Sequence, residues 1–216
     1  MSAASRRQQH KEQLRRVILD AARKLFVTDG YENFSMRRLA QEIDYSPGNV
    51  YLYFKNKEEL FRCLVEESFV RLLDTLTDLR NDRQCADPAE ELKRGMWAYV
   101  DFGLRNPNDY RFAFMLQPPL QKRPYKVHPA FELLREMVGR CVQSQRFSSA
   151  EVETTAQALW AAAHGITSLL IQRPAFPWVS KKKVIGQVIN SAIDSLLSPP
   201  STHRKAGAHH VNSNIR

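Results

Sequence analysis

The sequence predicts an all-α protein of about nine helices, in which a small N-terminal unit is followed by a larger helical bundle. Apolar residues recur at intervals of three and four along most of the chain, whereas the apolar–polar alternation typical of strands is scarce. There are only eight glycines in 216 residues, and they form no Gly-rich loop. These observations together favour a fold made of packed helices.

Capping residues and helix breaks predict a three-helix helix-turn-helix domain at the N-terminus, followed by a long fourth helix. Gly30 ends the first helix as a C-terminal cap would. Ser35 is a good N-cap for a short second helix, and Ser46 followed by Pro47 is typical of the N-cap and first residue of a third. A long fourth helix is expected from Asn56 to about Leu79.

Five more helices are predicted in the second half, over about 88–105, from Pro107, and over about 129–145, 149–171 and 181–197. The segment QPPLQKRPYKVHP between them is expected to be a loop, because each proline removes a backbone donor and clashes with the preceding turn. We expect residues 85–198 to form one C-terminal domain. Residues 199–216 have almost no apolar content and are expected to form a disordered tail.

Composition indicates a soluble, cytoplasmic protein with an anionic partner. The net charge of +9 and the pI of about 9.6 favour nucleic acid or a membrane surface, although many basic proteins bind neither. There is no signal peptide and no apolar run of about eighteen residues, so we expect no membrane association. Cys63, Cys85 and Cys141 are widely spaced, which predicts neither disulfides nor a metal site.

The stretch SMRRLAQEIDYSPGNVYLYFKNKEEL, residues 35–60, has the pattern of a helix-turn-helix. Asp44 lies in the predicted turn, where it tolerates a left-handed conformation better than most residues. Pro47 and Gly48 are flat or small and would let the backbone approach DNA closely. Asn49 can pair with adenine or bond a phosphate, and the tyrosine and lysine side chains that follow can reach phosphates.

A purely structural interpretation of the same stretch remains open. Tyr51, Tyr53 and Phe54 could all be core aromatics, and helix-turn-helix skeletons occur in proteins that bind no DNA. We assign Phe54 to the core, because it continues the face of Val50 at a spacing of four.

Residues 11–71 resemble the N-terminal DNA-binding domain of the TetR family of transcriptional regulators, with the helix-turn-helix at about 34–53. The resemblance lies in ILDAARKLFVTDGYENFSMRRLAQEIDYSPGNVYLYFKNKEEL, with its Ala-Ala helix, Leu-Phe, Gly-Tyr, Tyr-x-x-Phe and Lys-Glu-x-Leu. Asp44 departs from the family's usual glycine, and Met36 from its usual threonine or small residue. The resemblance implies phosphate contacts from Ser35, Tyr51 and Lys57, and groove contacts around Arg37, Pro47, Gly48, Asn49 and Tyr53.

Two further expectations concern the ends of this domain. Arg6, Arg7 and Lys11 form a basic arm before the first helix, which either contacts DNA or is a solvated, disordered end. The start of the fourth helix, near Lys57, is expected to offer free backbone N–H groups to a phosphate.

The second half is rich in aromatic residues, and members of this family generally bind a small molecule between such helices. We expect ordinary core roles for most of the aromatics, and a pocket for an apolar or aromatic effector among some of them. The pocket candidates are Trp97, Phe102, Tyr110, Phe114, Phe131, Trp160 and His164.

The segment LWAAAHGITSLLI places Trp160 and His164 four residues apart with Gly165 next to them. Trp-x-x-x-His-Gly resembles the C-terminal domain of a TetR subfamily named for these three residues. His164 is either a neutral, hydrogen-bonded core residue or an effector contact. A metal role is not expected, because no Cys, Asp or Glu lies three or four residues away.

The last two helices pair with those of a second subunit in the family, which implies a homodimer on a near-palindromic operator. The predicted interface residues are Leu159, Ile166, Leu169, Leu170, Val188, Ile189 and Ile193.

The sequence therefore predicts a DNA-binding transcriptional regulator, a repressor released from its operator by a small apolar or aromatic ligand. Activation of transcription, or architectural DNA binding without an effector, are the alternatives. We expect no catalysis, no cofactor and no metal, because the six histidines are scattered and no nucleophile, carboxylate pair or phosphate-binding loop is recognisable.

Overall fold

The computed structural model describes residues 3–81, 87–116, 127–148 and 150–198. Over these ranges the chain is all-helical, apart from one isolated antiparallel bridge between Phe147 and Leu197. This confirms the predicted fold class. The helices are α1 Ala3–Asn33, α2 Met36–Glu42, α3 Pro47–Tyr51, α4 Lys57–Asn81, α5 Pro88–Arg105, α6 Pro107–Phe114, α7 Pro129–Gln143, α8 Val152–Gln172 and α9 Lys181–Asp194.

Hydrogen bonds to the predicted capping residues fix where the helices begin. Ser35 Oγ accepts the N–H of Arg38 at 3.2 Å, and Ser46 Oγ accepts the N–H of Asn49 at 3.3 Å. Each satisfies a backbone donor that has no partner within its helix. Gly30 has φ of 78°, a left-handed conformation that ends the regular geometry of α1 before one last turn.

The apolar residues form two cores. The first lies among α1–α4, where the ring of Phe26 stacks on Phe34 at 3.9 Å and meets the edge of Phe61 at 5.2 Å. The second lies among α5, α7, α8 and α9. The fold therefore has two units, each with its own apolar centre.

Helix α6 belongs to both units. Its Phe112 is 1% exposed and packs into the first core, with its ring 6.0 Å from Phe26 and 5.5 Å from Phe61. Its Tyr110 is fully buried in the second core. A movement of α6 in one unit therefore must disturb packing in the other.

Several sequence predictions differ from the structure. Arg6, Arg7 and Lys11 do not form an arm before the first helix, because α1 begins at Ala3 and carries them as exposed helical residues. Contact of these residues with DNA stays a prediction. Helices α7, α8 and α9 are each shorter than predicted, since the turn after α7 and the Phe147–Leu197 bridge occupy the intervening chain. Most of the proline-rich loop, 117–126, and the predicted tail, 199–216, lie outside the described residues.

Among the described residues, no helix combines the length and the apolar composition that a bilayer crossing requires.

Candidate nucleic-acid interface and ligand cavity

The turn between α2 and α3 has the predicted geometry. Asp44 adopts φ of 56°, and the N–H of Tyr45 donates to the carbonyl of Ala40 at 2.9 Å. Val50 and Phe54 are 0% and 2% exposed, so they anchor α3 to the first core, as predicted for Phe54. The opposite side of α3 is left facing solvent.

Six of the eight predicted DNA contacts are exposed around this side, and two are not. Tyr51 is 52% exposed, whereas Tyr53 and Lys57 are only half-exposed. The exposed candidates are Ser35, Arg37, Pro47, Gly48, Asn49 and Tyr51.

Lys57 and the start of α4 do not have the freedom that the sequence suggested. The Lys57 ammonium donates to the carbonyl of Tyr31 at 3.3 Å and lies 4.5 Å from the centre of its ring. Asn56 Oδ1 accepts the N–H of Glu59, and Glu59 Oε2 accepts the N–H of Lys55, so both side chains satisfy backbone donors at this helix start. With the carboxylates of Glu58 and Glu59 in its first turn, this helix end is a poor phosphate site.

Sequence reasoning missed two exposed side chains and underrated a third on the same surface. Leu52 is 79% exposed directly after α3, and Tyr45 is 37% exposed in the turn. The side chain of Lys55 is exposed and makes no ion pair with the described residues, so it is a further phosphate candidate beside Lys57. The sequence could have indicated that Leu52 is exposed, because Leu52 lies between Val50 and Phe54 but not on the helical face that buries them.

A narrow cavity of about 40 Å³ lies between α4, α5, α7 and α8. Its wall contains no charged side chain among the described residues. The lining residues are Leu76, Leu92, Gly95, Met96, Tyr99, Leu134, Met137, Leu159, Trp160 and Ala163.

A chain of polar side chains extends from this cavity to His164. The Trp160 Nε1–H donates to the Tyr99 hydroxyl at 3.3 Å, and the Tyr99 and Tyr110 hydroxyls are 3.1 Å apart. The Tyr110 hydroxyl lies 2.6 Å from His164 Nδ1, and His164 Nε2 lies 3.2 Å from Ser168 Oγ. With Nδ1 as the acceptor, His164 carries its proton on Nε2 and every member of the chain has a partner.

Burial keeps all the ionisable members of this chain neutral near pH 7. It lowers the pKa of His164 and raises the pKa values of Tyr110 and, to a greater extent, Tyr99. Desolvation disfavours imidazolium and phenolate alike, which explains the opposite signs. His164 is thus neutral and hydrogen-bonded, as one of its two interpretations required.

Of the seven predicted pocket residues only Trp160 lines this cavity, and four others cluster with it. Centroid distances of 4.9–6.3 Å link the rings of Tyr110, Phe114, Trp160 and His164, and Phe131 lies 5.8 Å from Trp160.

Trp97 and Phe102 are corrections to the predicted pocket, because they point elsewhere. Trp97 lies against Gly186 on α9, and Phe102 is buried inside the second core away from the cavity wall. Tyr99, which sequence reasoning left out of the pocket, lies in the wall.

A buried ion-pair cluster joins α6 to the first unit. Asp109 accepts hydrogen bonds from Arg23 on α1, from Arg71 on α4 at 2.9 Å and from Ser68 at 3.3 Å. Arg23 also pairs with Glu67 at 3.1 Å and lies over the ring of Phe112. Asp109 directly precedes Tyr110, so one turn of α6 connects the polar chain at the cavity to helices α1 and α4.

The predicted dimer interface needs correction. Five of its residues are between 0% and 6% exposed, because they form the internal core between α8, α9 and their neighbours; these are Leu159, Ile166, Leu170, Ile189 and Ile193. Leu169, which is 51% exposed, and the partly exposed Val188 remain accessible. Around Leu169, the outer face of α8 consists of Ala158, Ala161 and Gly165, and nothing lies within 4 Å of a Cβ placed on Gly165.

Within the described ranges, no group of three or more His, Cys, Asp or Glu side chains is arranged to hold a metal ion.

A helix-turn-helix unit joined to a second helical unit is an arrangement that transcriptional regulators use. Comparison with known families narrows this class. Residues 18–64 match the family described as bacterial regulatory proteins, tetR family, and residues 92–191 match the tetracyclin repressor-like C-terminal domain. The chain belongs to the TetR family. The C-terminal match does not specifically show the Trp-His-Gly subfamily, so membership of that subfamily stays a prediction.

Curated relatives match this chain over part of its length. An uncharacterized HTH-type transcriptional regulator of Haemophilus influenzae is 34% identical over 100 residues, which cover 46% of this chain and 52% of that protein. The HTH-type transcriptional repressor AcnR of Corynebacterium efficiens is 36% identical over 64 residues, covering 30% and 34%. The chain thus spans about half or less of the lengths of these relatives.

Solved structures match the fold over nearly their whole length. The TetR family transcriptional regulator PfmR from Thermus thermophilus superposes with a TM-score of 0.62 at 22% identity, covering 82% of this chain and 97% of PfmR. A TetR-family transcriptional regulator from Haemophilus influenzae gives a TM-score of 0.61 at 19% identity, covering 88% and 100%. At these identities the likeness shows a shared fold.

Proposed function

We propose that this protein is a homodimeric repressor that binds palindromic operator DNA through α3 and leaves it when a small uncharged ligand enters the second unit. Residues 11–71 would form the DNA-binding domain and residues 85–198 the ligand-binding and dimerisation domain. The observation that carries the proposal is the exposed face of α3, on a helix that Val50 and Phe54 anchor to the first core.

The exposed residues of α3 suit the major groove. Gly48 has no side chain to hold the backbone away from DNA, and Asn49 offers the amide that pairs with adenine. Tyr51 and Lys55 add a hydroxyl and an ammonium group at the rim for phosphate oxygens. Arg37 on α2 is exposed and has no ion-pair partner among the described residues, so it is free for the same role.

Dimerisation would use the outer face of α8, not its buried face. The small residues Ala158, Ala161 and Gly165 would allow a second α8 to approach closely, and Leu169 would supply apolar contact. A stable interface buries roughly 1,200–2,000 Å², so α9, with Val188, would have to contribute as well. Two α3 helices about 34 Å apart would then reach successive major grooves.

The ligand would be uncharged and mostly apolar or aromatic. Leucine and methionine side chains make up most of the cavity wall, and its lining includes no charged partner for an ionised group. Burying an unpaired charge there would cost several kcal/mol. Because the cavity holds only about 40 Å³, the flexible side chains of Met96 and Met137 must move to admit a ligand.

Helix α6 would transmit ligand binding to α3. A ligand that displaces Trp160 or Tyr99 disturbs the hydrogen bonds to Tyr110, which lies next to Asp109. Asp109 and Phe112 hold α1 and α4, so a shift of α6 would change the separation of the two α3 helices in a dimer. A coupling of roughly 1–3 kcal/mol is typical of such systems, which is a 5- to 150-fold change in DNA affinity.

Selection of bound sequences from random duplexes by the purified protein tests the DNA-binding part. We expect a palindromic consensus, and the variant Asn49→Ala should lose affinity for the consensus by roughly 1–3 kcal/mol while keeping its nonspecific binding. The matched control is Gln143→Ala, an exposed residue at the end of α7 in the second unit, which should bind as the unmodified protein does. Binding without sequence preference would favour architectural DNA binding instead.

Charge introduced on the outer face of α8 tests the dimer. Leu169→Glu should yield monomers in sedimentation and weak operator binding, whereas Gln143→Glu at the end of α7, outside α8 and α9, serves as an exposed comparison. A dimer that persists in the Leu169→Glu variant would contradict the assigned face.

A further inference from the structure

The hairpin of α8 and α9 carries a concentrated positive charge that the proposed function does not yet explain. From residue 154 to residue 193 the chain contains four basic residues, Arg173, Lys181, Lys182 and Lys183, and not a single Asp or Glu. All four are exposed, and none forms an ion pair with the described residues. We call these four residues the basic cluster.

The loop that carries the basic cluster is held in a defined conformation. The carbonyl of Arg173 accepts the N–H of Phe176 at 3.2 Å and the Trp178 Nε1–H at 3.0 Å. The rings of Phe176 and Trp178 lie 4.6 Å apart, and Ser180 Oγ caps α9 by accepting the N–H of Lys183. The three lysines therefore project from the first turn of a capped helix, so less conformational entropy is lost when they bind a partner.

The basic cluster lies at the end of the bundle that faces the DNA-binding unit. At this end of α8 the Gln172 amide lies 3.8 Å from the sulfur of Met115, which directly follows α6. Helix α6 packs Phe112 into the first core. The opposite end of the hairpin is marked by the Phe147–Leu197 bridge, so α9 begins next to the DNA-binding unit and runs away from it.

We infer that the basic cluster binds phosphates of the operator between its two half-sites. The inference rests on the proposed function, because Leu169, one turn before Arg173, belongs to the proposed dimer face. Dimerisation through that face brings the clusters of both subunits near the two-fold axis, between the two α3 helices. Positive charge at this place would meet the backbone of the central base pairs, which α3 does not reach.

An anionic membrane surface is the competing partner. Phe176 and Val179 are 57% and 90% exposed, and aromatic residues next to lysines also suit a lipid interface. The position of the cluster beside the unit that carries α3 favours DNA, since a membrane at this end would compete with the operator for the same side of the molecule.

The test is the salt dependence of operator binding by the full chain, measured by fluorescence anisotropy on a selected operator. Each phosphate contact contributes about 0.9 to the slope of log affinity against log salt concentration. One contact per subunit therefore predicts that K181Q/K182Q/K183Q lowers the slope by about 2. If the two proteins bind equally well at 1 M salt, this change in slope gives a roughly thirtyfold loss of affinity at 0.15 M salt.

Two control variants distinguish a direct phosphate contact from a general effect of the protein's net charge. K181R/K182R/K183R keeps the charge and should bind as the unmodified protein does. Q143E/Q145E/S148E also changes the charge by −3, but at the far end of the bundle around the Phe147–Leu197 bridge, and should leave the slope nearly unchanged.

Four results would overturn the inference. An equal loss of slope in Q143E/Q145E/S148E would show long-range charge only. An unchanged slope in K181Q/K182Q/K183Q, on an operator that the unmodified protein binds specifically, would remove the contact while leaving the proposed function intact. The same unchanged slope with lost binding to phosphatidylserine vesicles would assign the cluster to a membrane. If the unmodified protein selects no operator at all, the proposed function fails and the inference fails with it.

Discussion

Asp109→Asn perturbs the ion-pair cluster that joins the two units. The change removes the charge of Asp109, whose side chain is 6% exposed, while keeping its shape. It leaves the guanidinium of Arg23, only 12% exposed, without its closest counter-charge. Breaking a buried pair in this way costs about 3–5 kcal/mol. Because Glu67 still pairs with Arg23 at 3.1 Å, we expect about 3 kcal/mol, at the low end of that range.

Urea denaturation followed by circular dichroism measures this loss as a fall in the free energy of unfolding. The matched control is Arg71→Gln, which removes the other partner of Asp109. Because the Arg71 side chain is 52% exposed, its loss should cost less than about 1 kcal/mol. Equal effects of the two substitutions, or a change below about 0.5 kcal/mol for Asp109→Asn, would refute the reasoning that this cluster holds α6 to α1 and α4.

Three further predictions concern packing, capping and pH. Gly103→Ala should lower the free energy of unfolding by about 1–3 kcal/mol, because its Cβ would lie 2.5 Å from Thr167 Cγ2. Gly139→Ala on α7 has open space around it, so it should instead raise the free energy of unfolding by about 0.5–1 kcal/mol in the same urea titration. Ser46→Ala should lower the melting temperature through the loss of about 1 kcal/mol of capping, and an unchanged melting temperature would contradict the cap. Burial lowers the pKa of His164 in the folded protein, so the unfolded chain binds the proton more readily. Stability is therefore lost as the pH falls below about 6.5. His164→Gln should flatten the dependence of stability on pH between pH 7 and pH 5, and a dependence as steep as that of the unmodified protein would count against this.

The elements that local chemistry determines were predicted well from the sequence. Ser35 and Ser46 cap their helices by bonding an N–H three residues away, so the signal and the structure lie within one turn. Asp44 likewise indicated the left-handed turn, because Asp tolerates a positive φ better than most residues do. Phe54 followed from the spacing to Val50. For these residues nothing distant in the chain competes with the local preference.

The outer face of α8 could not be found in the same way. Apolar residues surround almost the whole of this helix, so periodicity does not distinguish the core from a second subunit. Large side chains such as Leu159 and Ile166 filled the internal core, and the small residues together with Leu169 were left outside. Ala156 and Ala163 are also buried, whereas Leu169 is exposed, so neither hydrophobicity nor side-chain size alone separates the two faces.

Long-range contacts explain the other differences. Lys57 binds the carbonyl of Tyr31, twenty-six residues earlier, which no local pattern in α4 indicates. Trp97 and Tyr99 are two residues apart on α5, so they point in different directions, and only the packing of α9 and α8 shows which one meets the cavity. Aromatic content indicated the neighbourhood of the pocket but not its lining.

The most direct test of the central claim, that two α3 helices of a dimer read one operator, is to alter the spacing of the half-sites. Anisotropy titrations would compare the selected operator with a version that carries five extra base pairs at its centre. Half a helical turn places the second half-site on the opposite side of the duplex. The account predicts that affinity falls at least a hundredfold, to the level of nonspecific DNA. Equal affinity for the two duplexes would contradict it.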